Sequence, residues 1–129
     1  MREILFRGKR EDNGEWVEGH LLFDEEQDEA YIAEYFEDRS AYIREVIPET
    51  VGQYIGITDK NGTKIFEGDL MNGVCGKSFF EAAEVRWKSF FLEFFAGDNP
   101  LFEDNQESTY EVIGNIHDNP ELLKGGEQE

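Results

Sequence analysis

Asp59, Asn61 and Gly62, inside the stretch VGQYIGITDKNGTKIFEGDL from Val51 to Leu70, are spaced like the middle of a calcium-binding loop. In such a loop alternate oxygen ligands precede an obligatory glycine. The pattern fails at both ends, because the first ligand position falls on Ile57 and the twelfth, where a bidentate glutamate is needed, falls on Gly68. Asn61-Gly62 is also the dipeptide that best tolerates the positive φ angles of a tight hairpin. The stretch therefore reads as a run of turns, with glycines where the chain must reverse.

Other residue types that could do chemistry lack their context. Gly76-Lys77-Ser78 copies the end of a phosphate-binding loop, but Met71 stands where the leading glycine belongs and no helical pattern follows to offer its amides. Cys75 lies between glycines, and His20 and His117 are candidate bases, yet nothing in the spacing brings them together. Two histidines and one cysteine without tight spacing form no zinc pattern. Glu67 with Asp69 and Glu25 with Glu26 resemble acid-base pairs, though thirty acidic residues produce such neighbours by chance. No catalytic, cofactor-binding or metal-binding residue is assigned.

Thirty acidic against twelve basic residues give a net charge of −18 over 129 residues. That field repels phosphate backbones and anionic lipid surfaces, so direct nucleic-acid or membrane binding is disfavoured. Basic residues gather near the start, at Arg2, Arg7, Lys9 and Arg10, but Glu3, Glu11 and Asp12 interleave with them. The single cysteine excludes an internal disulfide, and no apolar run approaches the roughly 20 residues of a membrane span. A soluble cytoplasmic protein is the expectation.

The elements that must carry these residues read as short strands. Ile4-Leu5-Phe6, the Asn13-Gly14 turn and Trp16–Phe23 form a first hairpin, and FDEEQDE follows as a solvated loop. Ala30–Phe36 fits either period and is read as a strand, and Ser40–Ile47 as another, ended by Pro48. Pro48-Glu49-Thr50 suits a single helical turn. Phe79–Trp87 alternates, placing Phe79, Ala83, Val85 and Trp87 on one face and Phe80, Glu84 and Arg86 on the other. SFFLEFF, Ser89–Phe95, is apolar on both faces and calls for cover from the N-terminal unit or from another subunit. Tyr110–His117 is the last strand, with a helical turn over Asn119–Leu123. Short strands between glycine turns predict an all-β barrel or sandwich. The expected division is an N-terminal β-hairpin unit over 1–45, a barrel core over 46–124 and a disordered tail over 125–129, or one compact domain overall.

Three segments, in this order, resemble the YopX family of phage and prophage proteins. The first is Ile4–Lys9 with Trp16–Gly19; the second is Pro48–Tyr54 continuing through Gly56, Asp59–Gly62 and Ile65–Asp69; the third is Glu111–Ile116 with Asn119–Leu123. The sequence departs from the family's usual residues at Ile55, Phe66, His117 and Asp118, where the turn and core character is kept. The resemblance implies a mostly β protein with an SH3-like barrel and no assigned catalytic residue.

The reading leans away from an enzyme, toward a module without a cofactor that binds another protein or assembles as a homo-oligomer. Two other readings stand beside it. One is an acidic surface that imitates nucleic acid to occupy a basic protein. The other is a carboxylate-dependent hydrolase in which Asp59, Glu67, Asp69 and His117 would have to converge.

Overall fold

The computed structural model describes residues 4–75, 78–88, 93–96, 99–100 and 108–122. Among them the chain is mainly β, as expected. Its strands are β1 (Phe6–Lys9), β2 (Trp16–Asp24), β3 (Glu29–Tyr35), β4 (Ala41–Val46), β5 (Gly52–Thr58), β6 (Lys64–Phe66), β7 (Asp69–Cys75), β8 (Ser78–Lys88), β9 (Glu93–Ala96), β10 (Asn99–Pro100) and β11 (Ser108–Asn115). Pro48–Thr50 forms the expected single turn of 3-10 helix, and residues 120–122 are helical. The strands make two antiparallel sheets, ordered β4-β3-β2-β1-β5-β6 and β10-β9-β8-β7-β11. The expected barrel is not observed: the terminal strands of each order do not pair into a ladder, so both sheets stay open. The chain divides into two compact units, Met1–Tyr54 and Ile55–Glu129.

In the first unit the sheet coils so far that the end of β4 returns to the end of β1. Arg10 and Val46 form an isolated bridge, Glu11 N donates to Glu45 O at 3.0 Å, and Ile47 N donates to Lys9 O at 2.8 Å. Two glycines permit this coiling. A Cβ at Gly19 would collide with Ala33 O, and one at Gly8 would lie 2.9 Å from Val46. Thr50 locks the return, since its hydroxyl donates to Ile47 O at 2.6 Å and accepts from Lys9 N at 2.9 Å. The core enclosed is Val17, Ala30, Ile32 and Val46, with Phe6, Leu21 and Val51 against it. The acidic run after Phe23 is shorter as a loop than its charge suggested. Phe23 and Asp24 extend β2, Glu29 opens β3, and the tight turn over 25–28 is held by Asp24 Oδ1, which accepts from Glu26 N at 3.0 Å.

In the second unit Ile55, Ile65, Met71, Val85, Ala96 and Tyr110 form the core, joined by Ile57, Phe80, Ala83 and Val112. The alternation expected for β8 is broken. Met71 pairs with Ala83 but Gly73 pairs with Phe80, so an extra residue bulges out, and Ala82 takes φ +50°. Asn72 Oδ1 accepts from Ala82 N at 2.9 Å and fixes the bulge. Its consequence is a change of face: Phe80 joins Ala83 and Val85 on the core side, and Phe79 is 75% exposed. Of SFFLEFF, residues 89–92 lie outside the described set, and Phe95 is buried in β9. The tail over 125–129 also lies outside it.

Candidate functional site

Asp59 sits where β5 turns into β6. Asp59 N donates to Thr63 O at 2.8 Å and Gly62 N to Asp59 O at 3.0 Å, with Gly62 at φ +83°. This is the hairpin that Asn61-Gly62 predicted. The carboxylate of Asp59 is buried, and both of its oxygens are engaged by backbone amides. Oδ1 accepts from Asn61 N at 2.8 Å and Thr63 N at 2.9 Å, and Oδ2 from Val112 N at 2.9 Å. Burial pushes the carboxyl upward, but the amides of Val112, Thr63 and Asn61, together with the charge of Lys60, outweigh it and hold the pKa below the usual carboxylate value. Lys60 N also donates to Tyr110 O at 2.9 Å. The turn therefore covers part of the outer edge of β11, meeting the Tyr110 carbonyl and the Val112 amide.

Asp69 braces the next corner of the chain in a similar way. Its Oδ2 accepts from Phe66 N at 2.8 Å across the tight corner between β6 and β7, where Gly68 has φ +91°. Glu67 stands half-buried in that corner. His117 belongs to the turn after β11, its N donating to Asn115 Oδ1 at 2.9 Å. His20 is exposed on β2 of the first unit, edge-on to Tyr35 with ring centroids 5.1 Å apart. Glu25 and Glu26 are exposed in the β2-β3 turn. β7 ends at Cys75 and β8 begins at Ser78, so a strand and not a helix follows the Gly76-Lys77-Ser78 segment; residues 76–77 and the Cys75 side chain lie outside the described set. Among the described residues no three His, Cys, Asp or Glu side chains gather as a cation site.

Two features went unread in the sequence. One is the outer edge of β4. Glu45 and Ile47 direct their backbone groups toward β1, so Ala41 and Ile43, of the same parity in a regular register with β3, direct theirs outward, where no strand is paired among the described residues. Around that edge Tyr35, Phe36, Tyr42 and Ile43 are all exposed, Ile43 by 60%. Register places His20, Leu22, Tyr31, Tyr35 and Ile43 on one face of this sheet. Tyr31 donates to Glu29 Oε1 at 2.6 Å, and that bond, with partial burial, pushes its pKa up to about 12. The second feature is a cavity of about 290 Å³ in the second unit, lined by residues of β7, β8, β11 and the Asp59 turn. The signal for it was Gly73, an isolated glycine inside a strand.

A family model described as YopX protein matches residues 5–124. The chain belongs to the YopX family. No curated protein matches it. Among solved structures it is similar to the crystal structure of protein EF1440 from Enterococcus faecalis, at 25% identity and a TM-score of 0.57, over 95% of this chain and 99% of that one. The departures at Ile55, Phe66, His117 and Asp118 are tolerated by the fold: Ile55 and Phe66 are buried apolar residues, and His117 and Asp118 both donate backbone amides to Asn115 Oδ1. No helix among the described residues is long and apolar enough to cross a membrane.

Proposed function

We propose that this member of the YopX family is a non-enzymatic binding module that assembles with a second copy of itself through the outer edge of β4. The observation that supports this is the open edge at Ala41 and Ile43, flanked by the exposed side chains of Tyr35, Phe36, Tyr42 and Ile43. Unpaired strand edges with apolar flanks are templates for another strand, and soluble monomers usually blunt them with charge, proline or a covering loop. The edge is also self-complementary. Antiparallel pairing of two copies centred on Ile43 sets Arg44 of each opposite the other's Tyr42, repeating between chains the contact that Arg44 already makes with Tyr42 at 5.0 Å. As the family resemblance implies, such a module would be carried on a phage or prophage genome and act in the host cytoplasm.

Light scattering of the purified protein tests the proposal. The expected mass is two chains, falling to one in Ile43→Lys, which places a charge on the edge. Because each copy carries −18, added salt strengthens the assembly by screening like charges. A wild-type mass of one chain at high concentration and moderate salt overturns the reading. Complexes that form only with a basic protein and dissolve as salt rises would point instead to imitation of nucleic acid.

A further inference from the structure

The outer face of the second unit's sheet carries apolar side chains that its core does not use. Val74 and Phe79 stand opposite each other on β7 and β8, and Thr109 of β11 stands on the other side of Val74. Phe79 is 75% exposed, more than any other large apolar side chain among the described residues, and Val74 is 46% exposed. Single exposed apolar residues are ordinary, but a pair that floors a groove marks a contact surface. A strand turns only one of two adjacent phenylalanines inward, and the bulge held by Asn72 turns Phe80. A polar side chain at position 79 would serve this pattern equally well. Val74, Phe79 and Thr109 line the open groove of about 290 Å³, and Asn72, Glu81, Glu111 and Lys60 supply its polar groups.

Charge decides what can enter. Asn72 Oδ1 is taken by Ala82 N, and Lys60 Nζ lies 3.7 Å from Glu111 Oε1, which offsets its charge. Glu81 is exposed and has no ion pair among the described residues, so the lining keeps a negative excess. That excess and the −18 of the whole chain disfavour an anion, and they disfavour a second copy carrying the same charge. Phe79 and Glu81 both line the groove two residues apart on β8, roughly 7 Å along the strand. One guanidinium spans that distance, its flat face on the ring and its edge forked to the carboxylate, whereas an ammonium is a point charge that meets one or the other. We infer that this groove is a docking site for an arginine side chain of a positively charged protein, carried beside an apolar residue that seats on Val74. The site is independent of the β4 edge.

The test is an NMR titration of the full-length protein with three blocked tripeptides, acetyl-Leu-Arg-Leu-amide and its lysine and glutamate counterparts, reading the amides of Val74, Phe79 and Thr109. The titration is run at about 0.15 M salt, where attraction beyond roughly 8 Å is screened. The expected result is saturable shifts at these amides with the arginine peptide, binding about three- to fivefold weaker with lysine, and none with glutamate. Phe79→Leu keeps apolar area but removes the ring, and it lowers arginine to the lysine level. Glu81→Gln weakens the arginine peptide about two- to fivefold. Both positions are exposed, so both variants keep the wild-type spectrum away from the groove. Equal binding of the three peptides, or shifts scattered over the acidic surface and absent from these amides, overturns the site. An arginine affinity unchanged in both variants overturns the pairing of ring and carboxylate. Shifts at Val74 and Phe79 that appear on raising the protein concentration alone mark a second copy on this face and overturn the assignment of a basic partner.

Discussion

The edges of β4 and β11 face the same physical problem and answer it differently. Each ends a sheet, and each would present a row of unpaired amides and carbonyls. At β11 the chain folds the Asp59 turn over the edge, so that Val112 N meets a carboxylate and Tyr110 O meets Lys60 N. At β4, among the described residues, only the final ones are met, by β1, and Ala41 and Ile43 are left open. Edge protection in this protein is thus a local property of a few side chains, and the place where it is withheld is where association is expected.

Removing the cover should have the largest effect. Asp59→Ala strands three amides that a charged acceptor now satisfies, and a hydrogen bond to a charged group contributes about 1.5–3 kcal/mol net, less where water can replace the lost acceptor. With water reaching the exposed turn, a net loss of about 3 kcal/mol is expected in urea unfolding, together with aggregation at the newly opened β11 edge. A loss under about 1 kcal/mol would mean that the turn is only decorative. Asp59→Asn keeps one acceptor and should fall between.

The charge on Asp59 gives this cover a pH dependence of known sign. Its folded pKa is depressed, so its contribution is present above the unfolded value of roughly 4 and is lost as pH falls through the folded one. The stability gap between wild type and Asp59→Asn should therefore be constant from neutral pH to about 5 and shrink below 4. A gap that widens on acidification would reverse the assignment.

In the first unit the comparable stress point is a glycine. Gly19→Ala drives a methyl into Ala33 O, a backbone atom that cannot turn aside, and overpacking of this kind costs about 1–3 kcal/mol. Gly62→Ala meets no atom within 4 Å and is strained only by its φ of +83°, so about 1 kcal/mol is expected in the same assay. If the two cost the same, close approach does not shape the coiled sheet.

Local chemistry made the strands and turns legible in advance, and long-range geometry hid the rest. Asn13-Gly14 and Asn61-Gly62 announced their hairpins because the φ requirement lies within the dipeptide; Gly14 and Gly62 sit at +76° and +83°. The ambiguous Ala30–Phe36 segment resolved as β3 because its partners lie on both sides. The face of Phe79 was misread, since period-two counting cannot see an extra residue held by Asn72, ten positions away. Asp59 looked like half of a cation site because a carboxylate that binds amides and one that binds calcium use the same residue type. One of its three amide partners, Val112, is 53 residues distant. The open sheets and the cavity beside Tyr110 depend on which strands end up adjacent, and no spacing encodes that.

The smallest effect on stability is expected where the edge is bare. Ile43 is 60% exposed and its outward backbone groups have no strand partner among the described residues, so Ile43→Lys should change urea stability by no more than about 0.5 kcal/mol at dilutions where the chain is a monomer. At concentrations where wild type pairs, the same substitution should lower the apparent stability, because only wild type gains from mass action. Concentration dependence of the wild-type midpoint, absent in Ile43→Lys, separates the two edges. Losing Asp59 harms the fold at every concentration, whereas losing Ile43 harms only the assembly. A cost above about 2 kcal/mol for Ile43→Lys at high dilution would place this side chain in the fold's own packing, and the contrast between β4 and β11 would fail.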